Sequence, residues 1–344
     1  MVKTKKYMLD FTTSQPECPK NCCSDWIVFA LQKKNHRSGF AVFTDFPRMY
    51  RRVNEKTEME GHLGCTKVVR LLLQDPDSCV VVEEQYFGEG ILRDRRENLY
   101  TKIYPQVRAL FSRCLERSRE TIPTTIYRML LFAQKITPLV HPRCTSKDVE
   151  QLSRESREFL EAERREVFPE MVDFEACCAT VQQTIDFLRA HTPAEQALRQ
   201  SLESILRSYQ EADEELTGRS VLRTYLRRRS HYLSRHPVQI TEWWHNFLLY
   251  HVQEYKNDQS WEQLWIQVVW KMGILSILWM GDPRLADLDK PGGEAELFES
   301  LVDLIAQFHR LSLYPEIEQK KQEMLRNDDW VQETPTQICR LIMG

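Results

Sequence analysis

The chain has 344 residues, of which 42% are hydrophobic and 28% charged, and a net charge of -3. That apolar share excludes a disordered chain, and the near-neutral balance excludes a global electrostatic drive toward nucleic acid or an anionic membrane. With only 11 glycines and no Gly- or Ser-rich linker, the chain reads as long elements joined by short connections, and its length allows two domains or one large one.

Strand signals dominate residues 1–95. Lys6–Phe11 is a short candidate. Trp26–Leu31 and Phe40–Phe43 flank the polar stretch Asn35–Gly39, the pattern of a β-hairpin. Lys67–Leu73 and Cys79–Glu84 flank Asp75-Pro76-Asp77-Ser78, a turn signal. The first of these arms fits a strand or a short helix equally, because its length does not separate the two.

From residue 96 the period is helical. Helices are expected from about Pro105 to Arg117 and from Ile122 to Ile136, the second stopped by Pro138. Thr145-Ser146-Lys147-Asp148 fits a capping box and opens a Glu- and Arg-dense helix with a thin apolar stripe of Val149, Leu152, Phe159 and Leu160. After Phe168-Pro169, Met171–Ala190 reads as a new helix. Thr192-Pro193-Ala194-Glu195 places Thr at an N-cap, Pro at the first helical position and Glu at the third, with Gly218 marking the end of that region. Further helices are expected at about 220–234, 242–256 and 261–280, the last opened by the capping box Ser260-Trp261-Glu262-Gln263 and stopped at Gly281-Asp282-Pro283. Glu294–Leu313 is amphipathic, and a short helix follows Pro315. The expected fold class is therefore α+β and predominantly α, with a small β-rich N-terminal part at 1–95 and a multi-helix part at 96–344.

Ten irregularly spaced cysteines in a chain this long fit a reducing interior better than a disulfide scaffold. No apolar stretch of signal-peptide length follows the basic start, and Leu264–Met280, interrupted by Gln267, Lys271 and Ser276, reads as a buried helix rather than a membrane span. The expected location is intracellular, cytoplasmic or nuclear.

Three clusters carry candidate chemistry. Six of the eight tryptophans lie between positions 243 and 279. An aromatic core explains them; a partner-binding surface would use Trp243, Trp244 and Trp261. The Arg-rich stretch 219–235 is interleaved with Tyr and His, and Arg223, Arg227 and Arg228 are its candidates for phosphate-backbone contact. Acidic residues just upstream favour a salt-bridged face instead, and Arg229 falls on the expected buried side. The arginines before Ser230 also make it a candidate phosphorylation site. Cys18, Cys22, Cys23 and His36 have zinc-ligand chemistry, but no second paired knuckle completes a four-ligand site, so a loop of free thiols is the favoured reading and no cofactor is expected.

No phosphate loop, dinucleotide fingerprint, nucleophile elbow, zinc-protease motif or kinase set is present. The sequence therefore points first to a non-enzymatic subunit or adaptor of an intracellular protein complex, with other proteins as partners. A nucleic-acid-binding factor working through the Arg-rich helix is the alternative.

Overall fold

The computed structural model describes residues 38–42, 47–53, 56–61, 63–74, 84–85, 107–112, 114–115, 121–141, 143–161, 173–192, 196–210, 216–253, 260–288 and 293–311. The fold is predominantly helical. Among residues whose side chains are described, 86% are helical and none lies in a strand. The expected small β-rich N-terminal part is thereby corrected. Short backbone stretches at Ser38–Val42, Pro47–Val53, Lys56–Gly61 and Glu84–Gln85 pair antiparallel in that order. Lys6–Phe11 and Trp26–Leu31 lie outside the described residues.

The arm at Lys67–Leu73, ambiguous in sequence, belongs to helix α1, Thr66–Gln74. Tertiary packing decides the ambiguity. Cys65, Val68, Val69, Leu72 and Leu73 are all buried, at spacings of three and four that only a helix brings to one side. Arg70, on the other side, donates through Nε and a terminal nitrogen to both carboxylate oxygens of Glu299, at 2.9 and 2.6 Å. The Asn246 amide donates to the Leu73 carbonyl at 2.7 Å, satisfying an orphan acceptor at the helix end.

The remaining helices follow in order: α2, Ile122–Ile136; α3, Ser146–Glu161; α4, Phe174–His191; α5, Gln196–Arg207; α6, Gly218–Arg235; α7, Pro237–Gln253; α8, Trp261–Met280; and α9, Glu294–Leu311. Residues 107–112 are also helical. The expected helix after Pro315 lies outside the described residues. Two expected capping boxes form. Thr145 and Asp148 exchange bonds at the start of α3, and Ser260 and Gln263 do so at the start of α8.

Two local signals act differently from their sequence reading. Thr192 closes α4, its hydroxyl donating to the Leu188 carbonyl at 2.5 Å; residues 193–195 lie outside the described residues. Gly218 does not end a helix but opens α6. Its N–H donates to the Gln182 side chain at 2.7 Å, and a Cβ there would meet the Cys178 carbonyl oxygen at 2.2 Å. Only glycine permits this approach of α6 to α4.

Helix α8 is the centre of the fold. It packs against α2, α9, α6 and α5, while α1 lies on α7 and α9. Of the described helices it alone is long and apolar enough to cross a membrane, and 89% of that window is buried inside the protein. Water is excluded from nearly its whole circumference, which is why its sequence shows so little amphipathic contrast. Trp261 stacks on Phe111 at 4.9 Å between centroids, and Trp270 meets Phe187 edge-on at 5.4 Å. At the C-terminal end the Trp279 indole N–H donates to the Ser300 hydroxyl at 2.8 Å. A buried ring that also places its polar atom both fills volume and fixes register between helices.

Candidate functional site

Where α6, α7 and α8 converge with the start of α2, the helices leave a cavity of about 300 Å³. Helix α6 supplies Tyr225, Arg229, Tyr232 and Leu233, positions that recur at four, seven and eight residues and so share one side. Helix α7 supplies Pro237, Ile240, Thr241 and Trp244; α8 supplies Ser276, Trp279 and Met280; Thr121 and Ile122 close the remaining wall.

The cavity is graded from floor to mouth. Tyr225, Tyr232, Trp244, Ser276 and Trp279 are buried, whereas Arg229, Leu233 and Thr241 are half-buried and Thr121 and Pro237 are exposed. Burial pushes the Tyr225 phenol above its ordinary value, and the nearby Arg229 guanidinium acts in the opposite sense. The phenol is therefore neutral at physiological pH and faces the Ser276 hydroxyl. Among the described residues the lining is thus mostly aromatic and aliphatic, with hydroxyls at two depths and one cation toward the mouth. Sites that hold an apolar group in a fixed orientation have this composition.

The sequence-predicted tryptophans and arginines each have a definite place. Trp243, Trp244 and Trp261 are 6%, 6% and 2% exposed, and all three are part of the core. Trp243 packs on Phe298 at 5.0 Å and Trp244 on Trp279 at 5.8 Å. Of the three, only Trp244 lines the cavity.

The three candidate arginines do not share a surface. Arg223 and Arg227 are exposed, but Arg228 is 4% exposed. Its guanidinium donates to the Ser208 carbonyl at 2.5 Å, the Ser208 hydroxyl at 3.1 Å and the Met280 carbonyl at 2.8 Å. It also lies 5.2 Å from the centre of the Tyr209 ring. Burial lowers its pKa, opposed by the Tyr209 phenol. Arg228 is a tie between α6, the end of α5 and the end of α8. Arg229, expected on the buried side, is half-buried and lines the cavity. Upstream, Arg219 pairs with Glu175, so the stretch is salt-bridged at its start. Ser230 is exposed in the middle of α6, where Arg228 is already committed inward.

Cys18, Cys22, Cys23 and His36 lie outside the described residues. Among the described residues no group of three or more His, Cys, Asp or Glu could hold a metal ion. The cavity residues that the sequence reading missed were legible in part: Tyr225, Arg229, Tyr232 and Leu233 form a helical stripe on their own. What hid them was the position of the second wall, which depends on how α7 turns back after His236.

Comparison with known proteins found no match among protein families, curated proteins or solved structures.

Proposed function

We propose that this chain is a non-enzymatic subunit or adaptor of an intracellular protein complex and that it holds a partner segment in the cavity between α6, α7 and α8. The observation that carries the reading is the cavity itself: aromatic walls from Tyr225, Tyr232, Trp244 and Trp279, open past Arg229 and Thr121. A pocket of this kind fits one bulky side chain of a partner, and anchors of that sort dominate binding energy at protein interfaces. Val238, 70% exposed and next in sequence to the lining residue Pro237, adds an apolar surface on α7.

The test places a benzoyl-phenylalanine crosslinker at Thr241 in cells, followed by mass spectrometry of the covalent products. A stoichiometric protein adduct that disappears when the cavity is plugged by Leu233→Trp supports the reading. Crosslinking to no protein, from a chain with an unchanged melting temperature, removes it.

A further inference from the structure

We infer that the partner anchor, on the reading just proposed, is a tyrosine side chain, its ring held by the aromatic walls and its hydroxyl bonded to Tyr225 and Ser276 at the buried end of the cavity. The observation behind this is a buried polar group that the chain itself does not satisfy. Tyr225 lines the cavity and is 1% exposed, and its hydroxyl has no hydrogen-bond partner among the described residues. Ser276 lines the same hollow from α8 and is 5% exposed. Its hydroxyl acts on the Tyr225 phenol, but the two stop short of hydrogen-bond geometry. Two neighbouring rings differ in this respect. Tyr232 donates to the Leu285 carbonyl at 3.2 Å, and the Trp279 indole donates to Ser300 at 2.8 Å. Their polar atoms are committed to residues outside the lining. Buried polar side chains are nearly always hydrogen-bonded, so one without a partner beside a hollow calls for a partner from outside the chain.

The chemistry of the anchor follows by elimination. A hollow of about 300 Å³ exceeds the roughly 150 Å³ that holds a benzene ring, so a ring with a substituent fits. Aromatic walls such as Trp244 and Trp279 favour a ring over an aliphatic chain. Phenylalanine or leucine would fill the space and leave the Tyr225 hydroxyl sealed without a bond. A carboxylate or an ammonium would carry a charge to the buried end at a high desolvation cost. Asparagine and glutamine bring an oxygen but no apolar body. An indole N–H only donates, so it leaves the Tyr225 hydrogen unused. Tyrosine joins a ring to an oxygen that both accepts and donates. It can accept from Tyr225 and donate to Ser276, filling the gap between two hydroxyls that do not reach each other.

The experiment selects a phage-displayed library of random 12-residue peptides against the full-length chain, then measures the leading peptide by fluorescence polarisation. Its tyrosine is replaced by phenylalanine, and both peptides are titrated against the native chain and the double variant Tyr225→Phe, Ser276→Ala. The expected result is a shared tyrosine in the selected peptides. Its replacement should weaken binding to the native chain roughly tenfold, the range of a hydrogen bond made in a buried site. On the double variant the same replacement should change affinity less than twofold, since the groups act as one unit. The free chain supplies an independent readout: Tyr225→Phe keeps the ring and removes only an unbonded hydroxyl, so its melting temperature should equal or exceed the native value. A clear fall in that temperature, a tyrosine preference that persists on the double variant, or anchors without tyrosine overturn this inference and leave the adaptor reading standing. Peptides whose binding survives both Leu233→Trp and Thr241→Trp, or no selected peptide at all, overturn the adaptor reading itself. Far-ultraviolet circular dichroism of each variant separates a plugged cavity from an unfolded chain, and the two plugs come from different helices, so one folding failure does not end the test.

Discussion

Replacing Arg228 with leucine isolates what the buried guanidinium contributes. Leucine keeps most of the apolar stem's role in α6 but leaves the carbonyls of Ser208 and Met280 without their donor. A buried acceptor stranded in this way costs about 1–3 kcal/mol, and losing the cation from above the Tyr209 ring adds about 1 kcal/mol. Against this, the variant no longer holds a charge in an apolar interior, which returns part of the loss. The Ser208 hydroxyl is less affected, because its one hydrogen still has the Ile205 and Gly281 carbonyls within reach as acceptors. The net expectation is a destabilisation of about 3 kcal/mol. Urea unfolding followed by circular dichroism and tryptophan fluorescence measures it, with an unchanged slope showing that the comparison is of like with like. Arg223→Leu, on the exposed side of the same helix, is the control and should stay within about 0.5 kcal/mol of the native chain. A loss below about 1 kcal/mol for Arg228→Leu would mean that the guanidinium is not a tie, and the assignment of this arginine to the core would fall.

Two further outcomes follow from single contacts. Gly218→Ala puts a Cβ 2.2 Å from the Cys178 carbonyl oxygen, so α6 must move away from α4; the expected cost is about 2 kcal/mol despite alanine's better helix propensity, and a thermal midpoint equal to or above that of the native chain contradicts the close approach. The backbone and hydroxyl bonds from Thr145 hold the Asp148 carboxyl below its ordinary value, so its cap contributes stability above its unfolded-state pKa and loses it as pH falls through the lower folded value. The melting-temperature difference between the native chain and Asp148→Asn should therefore be constant from neutral pH down to about 5 and shrink below about 4; a difference that grows on acidification would reverse the sign and exclude the cap as its source.

The helices from α2 onward were legible because their signals are local. Capping residues at Thr145 and Ser260, the break at Pro138 and the apolar spacing of α9 all act within one or two turns. What was not legible depended on partners distant in sequence. Val68 to Leu73 is apolar on both a two-residue and a four-residue period, and contact with α7 and α9 selects the second. Gly218 looked like a helix stop because glycine so often is one; its actual reason, contact with a carbonyl forty residues earlier, leaves no local mark.

The Arg-rich stretch shows the same division at the level of function. Read as composition, it is one basic patch. On α6 its members separate by angle into different tasks: Arg219 pairs with Glu175, Arg223 and Arg227 face outward, Arg228 crosses into the core, and Arg229 borders the cavity. The buried positions Val221, Tyr225, Arg228 and Tyr232 step by three and four, so Arg228 is buried by register with the aromatics rather than by its own chemistry. Arg229, the next position, is half-buried and lines the hollow with Tyr225 and Tyr232. A nucleic-acid surface needs several cations on one side. Five arginines with four different surroundings do not form one such side.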